Sequence, residues 1–237
     1  MKRIRLFCFP YAGGSAVVYG KWKMYLDGAI ELVPIEYAGR GKRIKEDFYS
    51  DMAEAIDDIC HEVSGLLQEL PFAVFGHSMG SILGYEICNK IRESCGKEPA
   101  HIFVSGRYPP HIHKTPGMLH LLSDQLFAYE MIKIGGTSKE IFDSKELREI
   151  FIPILKADYR LIELYDYVEK NAQFQCGITA FGGRTDPLVT SAELLEWQKH
   201  SRTGAKIYQF DGNHFFIHDH VKEITAIINN TLSPWVR

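Results

Sequence analysis

No apolar run in this 237-residue chain is long enough to span a bilayer, so a membrane-crossing helix is excluded. Charge of one sign is lacking too. The 27 Lys and Arg stand against 30 Asp and Glu, for a net charge of −3 at pH 7, which argues against a general nucleic-acid binder. Cysteine is sparse: Cys8, Cys60, Cys88, Cys95 and Cys176 are odd in number and scattered, with no Cys-x-x-Cys pair. That excludes a disulfide framework and points to reduced, structural thiols in a cytoplasmic protein. Lys2, Arg3 and Arg5 would suit the start of a signal peptide, but the short apolar stretch behind them runs into Pro10, Gly13 and Gly14, so none is expected. Repeats, linkers and low-complexity segments are absent. The length suits one α/β domain over residues 1–237, with a core of ordinary size.

What is present centres on Phe72-Ala73-Val74-Phe75-Gly76-His77-Ser78-Met79-Gly80. A short apolar run ends in Gly-x-Ser-x-Gly and a helical pattern follows, the layout of a nucleophile elbow. Five residues alone are a weak signal; the strand before and the helix after make it specific. The turn forces Ser78 into a strained conformation at the positive end of a helix. A Cβ at Gly76 or Gly80 would collide with the neighbouring strand or helix.

Upstream, Arg3 to Phe9 alternates as a first strand and ends at Pro10-Tyr11-Ala12-Gly13-Gly14-Ser15. This glycine loop fits neither the P-loop nor the dinucleotide fingerprint. It suits the loop that supplies the second oxyanion-hole N–H, from Ala12 or, less well placed, Tyr11; the competing reading is a tight turn into a helix. A helix over Ala16 to Leu26 and a strand over Glu31 to Glu36 follow, with Pro34 marking a place near the sheet edge. The loop Tyr37 to Lys45 is dense in positive charge. It is either a solvated basic loop or a contact for a phosphate or acidic partner. Ser50 to Leu70 is an amphipathic helix with Asp51 and Glu54 in its first turn.

After the strand His101 to Ser105 the βα rhythm breaks from about 108 to 175. Pro109, Pro110, Pro116 and Gly117 punctuate a loop in which His111 and His113 read as solvated, with no further ligand at metal spacing. Ser123 caps a helix to Ile134, and Thr137 with Glu140 forms a capping-box pattern. Ser144 opens a long helix with Leu147, Ile150, Phe151, Ile154, Leu155, Leu161 and Ile162 on one face and Pro153 as a kink. Asp158 falls on that apolar side, where an ion pair with a nearby Arg or Lys is expected. Such an insertion reads as a lid whose apolar face roofs an acyl channel, or simply as an extra helical layer. The rhythm resumes with a strand over Gly177 to Phe181, a helix over Ser191 to Ser201, a strand over Ala205 to Phe210 and a helix from about Asp219 to Asn230.

Ser78, Asp186 and His214 thus lie at the ends of three strands, in the Ser-acid-His order of α/β-hydrolases. His214 would take the Ser78 proton and Asp186 would hold the imidazole, while the N–H groups of Met79 and Ala12 would receive the oxyanion. His218 and His220 are rivals that fall at a helix start. Asp211 is a rival acid, too close in sequence to reach round to His214. No metal or cofactor is called for.

Taken together, Cys8-Phe9-Pro10-Tyr11-Ala12-Gly13-Gly14, Gly39-Arg40-Gly41-Lys42-Arg43, Phe75-Gly76-His77-Ser78-Met79-Gly80, Lys156-Ala157-Asp158-Tyr159, Gly182-Gly183-Arg184-Thr185-Asp186-Pro187 and Gly212-Asn213-His214-Phe215-Phe216 resemble the type II, editing thioesterases of polyketide and nonribosomal peptide synthetases. Ala38 and Lys156 depart from that family's Pro and Arg and touch no triad position. The resemblance implies an α/β-hydrolase fold, a mostly parallel sheet flanked by helices with a helical lid. It also implies hydrolysis of acyl thioesters on the 4′-phosphopantetheine arm of an acyl or peptidyl carrier protein. Carrier domains are typically acidic, so Arg40 and Arg43, with Lys42 and Lys45, become carrier contacts on this reading. A monomer is expected, with no nucleic-acid or membrane partner. The alternatives are a carboxylesterase of free small esters, a catalytically silent synthetase-binding protein, or acyl transfer in place of hydrolysis.

Overall fold

The structure is a computed structural model and describes residues 2–67, 70–115, 117–135 and 139–236. Six strands form one sheet: β1 (Ile4–Phe9), β2 (Ile30–Pro34), β3 (Phe72–His77), β4 (His101–Ser105), β5 (Ile178–Gly183) and β6 (Ala205–Phe210). Their order is β2-β1-β3-β4-β5-β6, and all five pairings are parallel. The inner strands β3 and β5 are buried at every residue, as expected of strands covered on both faces. β6, at one edge, alternates in exposure. β2, at the other, ends on Pro34, where a missing N–H costs least.

One face carries α1 (Met52–Leu66) and α2 (Met79–Cys95); the other carries α7 (Val221–Val236) and a 3₁₀ helix (Ala16–Met24). Asp51 caps α1 by accepting the Glu54 N–H at 2.8 Å. Gly96, at φ +67°, ends α2. Beyond β5, α6 (Ser191–Leu195) opens with a Thr190–Glu193 capping box. Chain order reverses between β1 and β3. The loops after these strands flank the crevice in which parallel α/β sheets bind ligands.

Between β4 and β5 the chain forms α3 (Asp124–Ile134), α4 (Lys139–Asp143) and α5 (Lys145–Glu163). These helices share a small apolar cluster of their own around Phe127, Met131, Phe142, Ile152 and Leu155. The apolar stripe expected on α5 divides: Ile154, Leu155 and Leu161 are buried, whereas Leu147 and Ile150 face solvent. Pro153 lies inside α5, which is continuous through it. Several boundaries move. The Ala16 segment is 3₁₀, α1 is shorter than expected at both ends, and the Ser191 segment becomes α6 plus a 3₁₀ turn. Pro116, Gly136 and Thr137, and with Thr137 the expected capping box, lie outside the described residues. No helix among the described residues is long and apolar enough to cross a membrane.

His111, expected to be solvated, is only partly so. Its Nδ1 lies 2.8 Å from His200 Nε2, and His200 Nδ1 lies 2.9 Å from the Tyr85 hydroxyl. Burial, reinforced by the positive potential of His111, pushes His200 down to about 4, and burial does the same to His101. Both are therefore neutral in the folded protein while the unfolded chain binds protons below about pH 6.5. The unfolded state then holds more protons, and stability rises with pH across that interval. The melting temperature is expected to be level above pH 6.5 and to fall as pH drops toward 4. His200→Gln should flatten the slope; an unchanged slope would refute the assignment.

Candidate functional site

Ser78 sits between β3 and α2 at φ 53°, ψ −116°, a left-handed backbone that L side chains rarely adopt. The surroundings hold it there. Its N–H donates to Ser105 O at 2.7 Å, across to β4. Ser81 Oγ, one turn into α2, donates to Gly76 O (2.8 Å) and Ser105 O (3.1 Å) and accepts the Ser105 N–H (3.0 Å). The elbow is thus sewn to β4 by three bonds to Ser105. A Cβ on Gly76 would strike the Gly80 carbonyl, and one on Gly80 the Phe9 carbonyl, so β1, β3 and α2 meet only because both positions lack one.

Asp186 and His214 leave the ends of β5 and β6. Their loops are zipped together: Arg184 N–H donates to Phe210 O (2.8 Å) and Thr185 N–H to Gly212 O (3.0 Å). Gly183 permits this approach, because a Cβ there would meet the Asn213 and Gly212 carbonyls. His214 Nδ1 lies 2.8 Å from Asp186 Oδ2, while Asp186 Oδ1 accepts the Leu188 N–H at 2.8 Å. Both side chains are buried, and the second bond fixes the carboxylate plane that orients the imidazole.

The rivals are occupied elsewhere. Asp211 pairs with Arg184 at 3.0 Å, with its side chain almost fully in solvent. His218 Nε2 lies 3.0 Å from the Tyr11 hydroxyl, and His220 Nε2 lies 2.9 Å from Asp211 O. No group of three or more His, Cys, Asp or Glu suited to a metal ion occurs among the described residues.

A cavity of about 280 Å³ is lined by Ser78 and Ala12, by Leu119 and Ile134, and by Tyr159 and Ile162 of α5. The inserted helices therefore contribute wall to the space beside the elbow serine, and that wall is mostly apolar. Ala12 meets this cavity from the glycine loop, and Met79 is the first residue of α2.

The glycine loop is anchored to the insertion by a device only half visible in the sequence. Asp158 of α5 is 1% exposed and Arg40 is 3% exposed. They form a two-pronged ion pair, Nη1 to Oδ2 at 2.5 Å and Nη2 to Oδ1 at 2.6 Å. Asp158 Oδ2 also accepts the Gly13 N–H at 2.6 Å, and Arg40 Nη1 reaches Gly14 O at 3.2 Å. The expected ion pair of Asp158 is present. The expected surface role of Arg40 is corrected: its guanidinium is buried between α5 and the glycine loop. Arg43 is half-buried and committed within the chain, bonded to Glu46, Asp58 (2.7 Å) and the Tyr49 hydroxyl (3.1 Å). Lys42 and Lys45 are the exposed cations of this loop.

Sequence reasoning missed His77. Its ring is fully buried, lies 5.0 Å from that of His214, and places Nδ1 2.8 Å from Ser105 Oγ. Burial, then the neighbouring His214, pushes its pKa down, so it remains a neutral spacer beneath His214.

A parallel sheet that carries a strained elbow serine on the same edge as a buried Asp–His pair defines a hydrolase of the α/β class. Similarity to known proteins narrows the class. The sequence matches the family described as Thioesterase domain over residues 4–232, and the chain belongs to that family; it is a thioesterase. It is 36% identical over 236 residues to linear gramicidin dehydrogenase LgrE of Brevibacillus parabrevis, covering 98% of this chain and 89% of that protein. That name describes a dehydrogenase, yet the Gly13-Gly14 loop of the present chain lacks a dinucleotide fingerprint. The structure of ClbQ from the colibactin synthetase pathway superposes with a TM-score of 0.94 at 37% identity, covering 98% of both chains. The type II thioesterase BorB, from the borrelidin biosynthetic cluster, superposes with a TM-score of 0.88 at 32% identity, covering 97% of this chain and 93% of that one.

Proposed function

We propose that this thioesterase hydrolyses acyl thioesters carried on the phosphopantetheine arm of acyl or peptidyl carrier proteins, clearing stalled or aberrant acyl groups from a polyketide or nonribosomal peptide synthetase, or releasing its product. The observation that carries this is full-length similarity to type II thioesterases of such pathways, combined with an elbow serine that opens on a mostly apolar cavity.

Ser78 is the nucleophile on this reading. His214 Nε2 removes its proton as Oγ attacks the thioester carbonyl, and Asp186 fixes the tautomer and stabilises the imidazolium. The N–H groups of Met79 and Ala12 receive the oxyanion, each worth roughly 3–4 kcal/mol. His214 then protonates the departing thiol, and water, deprotonated by the same imidazole, frees the acid. The segment near 108–175 serves as a lid within a single-domain, monomeric, cytoplasmic enzyme. Lys42 and Lys45 take the place of Arg40 and Arg43 in facing an acidic carrier.

Free-thiol release from a short-acyl carrier protein, set against the same acyl group on a small thioester, tests the reading. Lys42→Glu/Lys45→Glu should raise KM for the carrier substrate alone. An equal effect on both substrates would remove the carrier surface from the account.

A further inference from the structure

After α5 the chain runs back toward β5 as a strap, residues 164–170, in which only Tyr165, Tyr167 and Lys170 turn from solvent. Two of these three end on one side chain. Tyr165 donates its hydroxyl to Glu86 Oε1, and Lys170 Nζ lies 2.7 Å from Glu86 Oε2. The third, Tyr167, meets Tyr85, the residue before Glu86. Glu86 is buried on α2, the helix that Ser78 opens. A buried carboxylate is costly unless it is paired and hydrogen-bonded, and here both oxygens are spent on the strap. Burial, and then the Glu86 charge, push the Tyr165 hydroxyl up, so it stays protonated and donates.

The strap is a thin partition. Tyr165 and Tyr167 line the cavity of Ser78. Tyr165 also lines a second hollow of about 290 Å³ toward the start of α1, together with Glu86, Leu164, Val168 and Lys170. With space on both faces, packing alone does not fix the strap, and its polar fastenings decide where it stands. The loop that opens the insertion, on the same cavity, is held differently. Trp197 Nε1 donates to Arg107 O at 2.8 Å, and Lys114 is held by Glu193 at 2.7 Å and by Leu188 O at 3.0 Å. That loop has several independent ties, whereas the strap leans on Glu86.

We infer that Glu86 is a positioning residue for thioester hydrolysis: it pins the strap so that Tyr165 and Tyr167 stand as a fixed wall of the Ser78 cavity. The inference rests on the reading of that cavity as the acyl site and deepens it. A pinned wall costs an incoming substrate nothing to order. Once it is unpinned, substrate binds only the fraction of molecules whose strap is seated, and apparent affinity falls in proportion. Ground state and transition state lose equally, so the effect enters KM and leaves kcat alone.

The test measures kcat and KM for thiol release from butyryl-N-acetylcysteamine and from a butyryl-loaded carrier protein. It compares the unmutated enzyme with Tyr165→Phe, Glu86→Gln and Glu86→Leu, each with a melting curve and hydrogen exchange across residues 164–170. Tyr165→Phe removes one oxygen and keeps the ring. It should raise KM roughly tenfold on both substrates, the span of one hydrogen bond to a charged group. Its kcat should stay within about twofold, and faster exchange should be confined to the strap. Glu86→Leu should raise KM further. Glu86→Gln, whose amide oxygen still accepts from Tyr165, should keep KM nearer the unmutated value. Should Glu86→Leu unfold, Tyr165→Phe and Glu86→Gln still decide the matter. An unchanged KM in Tyr165→Phe, above all with the strap exchanging faster, would overturn the inference. So would a fall in kcat with KM intact, or equal KM losses in Glu86→Gln and Glu86→Leu. A KM rise on the small thioester without carrier turnover would uphold the role of Glu86 and instead defeat the carrier reading.

Discussion

Ser78→Ala is expected to reduce acyl-thioester turnover by roughly 10⁶-fold, with little change in melting temperature. The hydroxyl is the only atom removed. The backbone that strains this position, at φ 53°, is imposed by the β3–α2 junction and by the Ser105 and Ser81 bonds, none of which uses the Ser78 side chain. What survives is the polar environment around the proposed nucleophile's place. Ser78→Gly separates chemistry from strain. It should be equally inactive and more stable, by about 1 kcal/mol, because glycine adopts positive φ without the Cβ clash. Single-turnover thiol release and thermal melts of the two variants check both halves. Retention of more than about a hundredth of the activity in Ser78→Ala would mean another group attacks, since one catalytic nucleophile is worth far more.

Arg40→Met is the most destabilising single change expected outside the sheet core. It leaves the Asp158 carboxylate buried at the junction of α5 and the glycine loop, at a cost of about 3–5 kcal/mol. Asp158→Leu strands Arg40 in the same way and also deprives the Gly13 N–H of its acceptor. The double change Arg40→Met/Asp158→Leu removes both charges together and should recover much of the stability, because it is the unpaired charge that costs most. Activity should not recover in parallel. Gly13 adjoins Ala12, so the freed loop would no longer hold at a fixed place the N–H proposed to receive the oxyanion. Denaturant unfolding and kcat of the three variants form a cycle. Additive losses in stability would show that the pair is not coupled, and full activity in the double variant would show that the clamp has no part in aligning the loop.

Much of this molecule is legible in its sequence because the elements that position the chemistry carry local signals. The elbow reads from Gly76, Ser78 and Gly80, since only glycine fits where β1, β3 and α2 meet. The Asp186 and His214 loops read from Gly183 and Gly212 and from their place after successive strands. Asp158 could be flagged as a misplaced charge on an apolar face, but its partner could not. Arg40 lies 118 residues away, in a loop whose composition resembles a solvated basic patch. Charge in a sequence carries a sign and no depth, and this is why Arg40 was expected at the surface. His77 was invisible for a related reason. It gains its meaning from a neighbour on another strand, Ser105, and no periodicity records that. The exposure of Leu147 and Ile150 reflects packing too: α5 follows a small cluster of its own around Phe142 and Ile152, and the helical stripe extends past what that cluster can cover.

The most direct test of carrier-thioester hydrolysis is free-thiol release from a short-acyl, phosphopantetheine-loaded carrier protein, measured beside cleavage of a p-nitrophenyl ester of the same acyl group. The account predicts that the carrier thioester is turned over with the higher kcat/KM and that the product is the free acid. Cleavage of the ester with the carrier substrate left intact would contradict it and make this chain an esterase of small molecules.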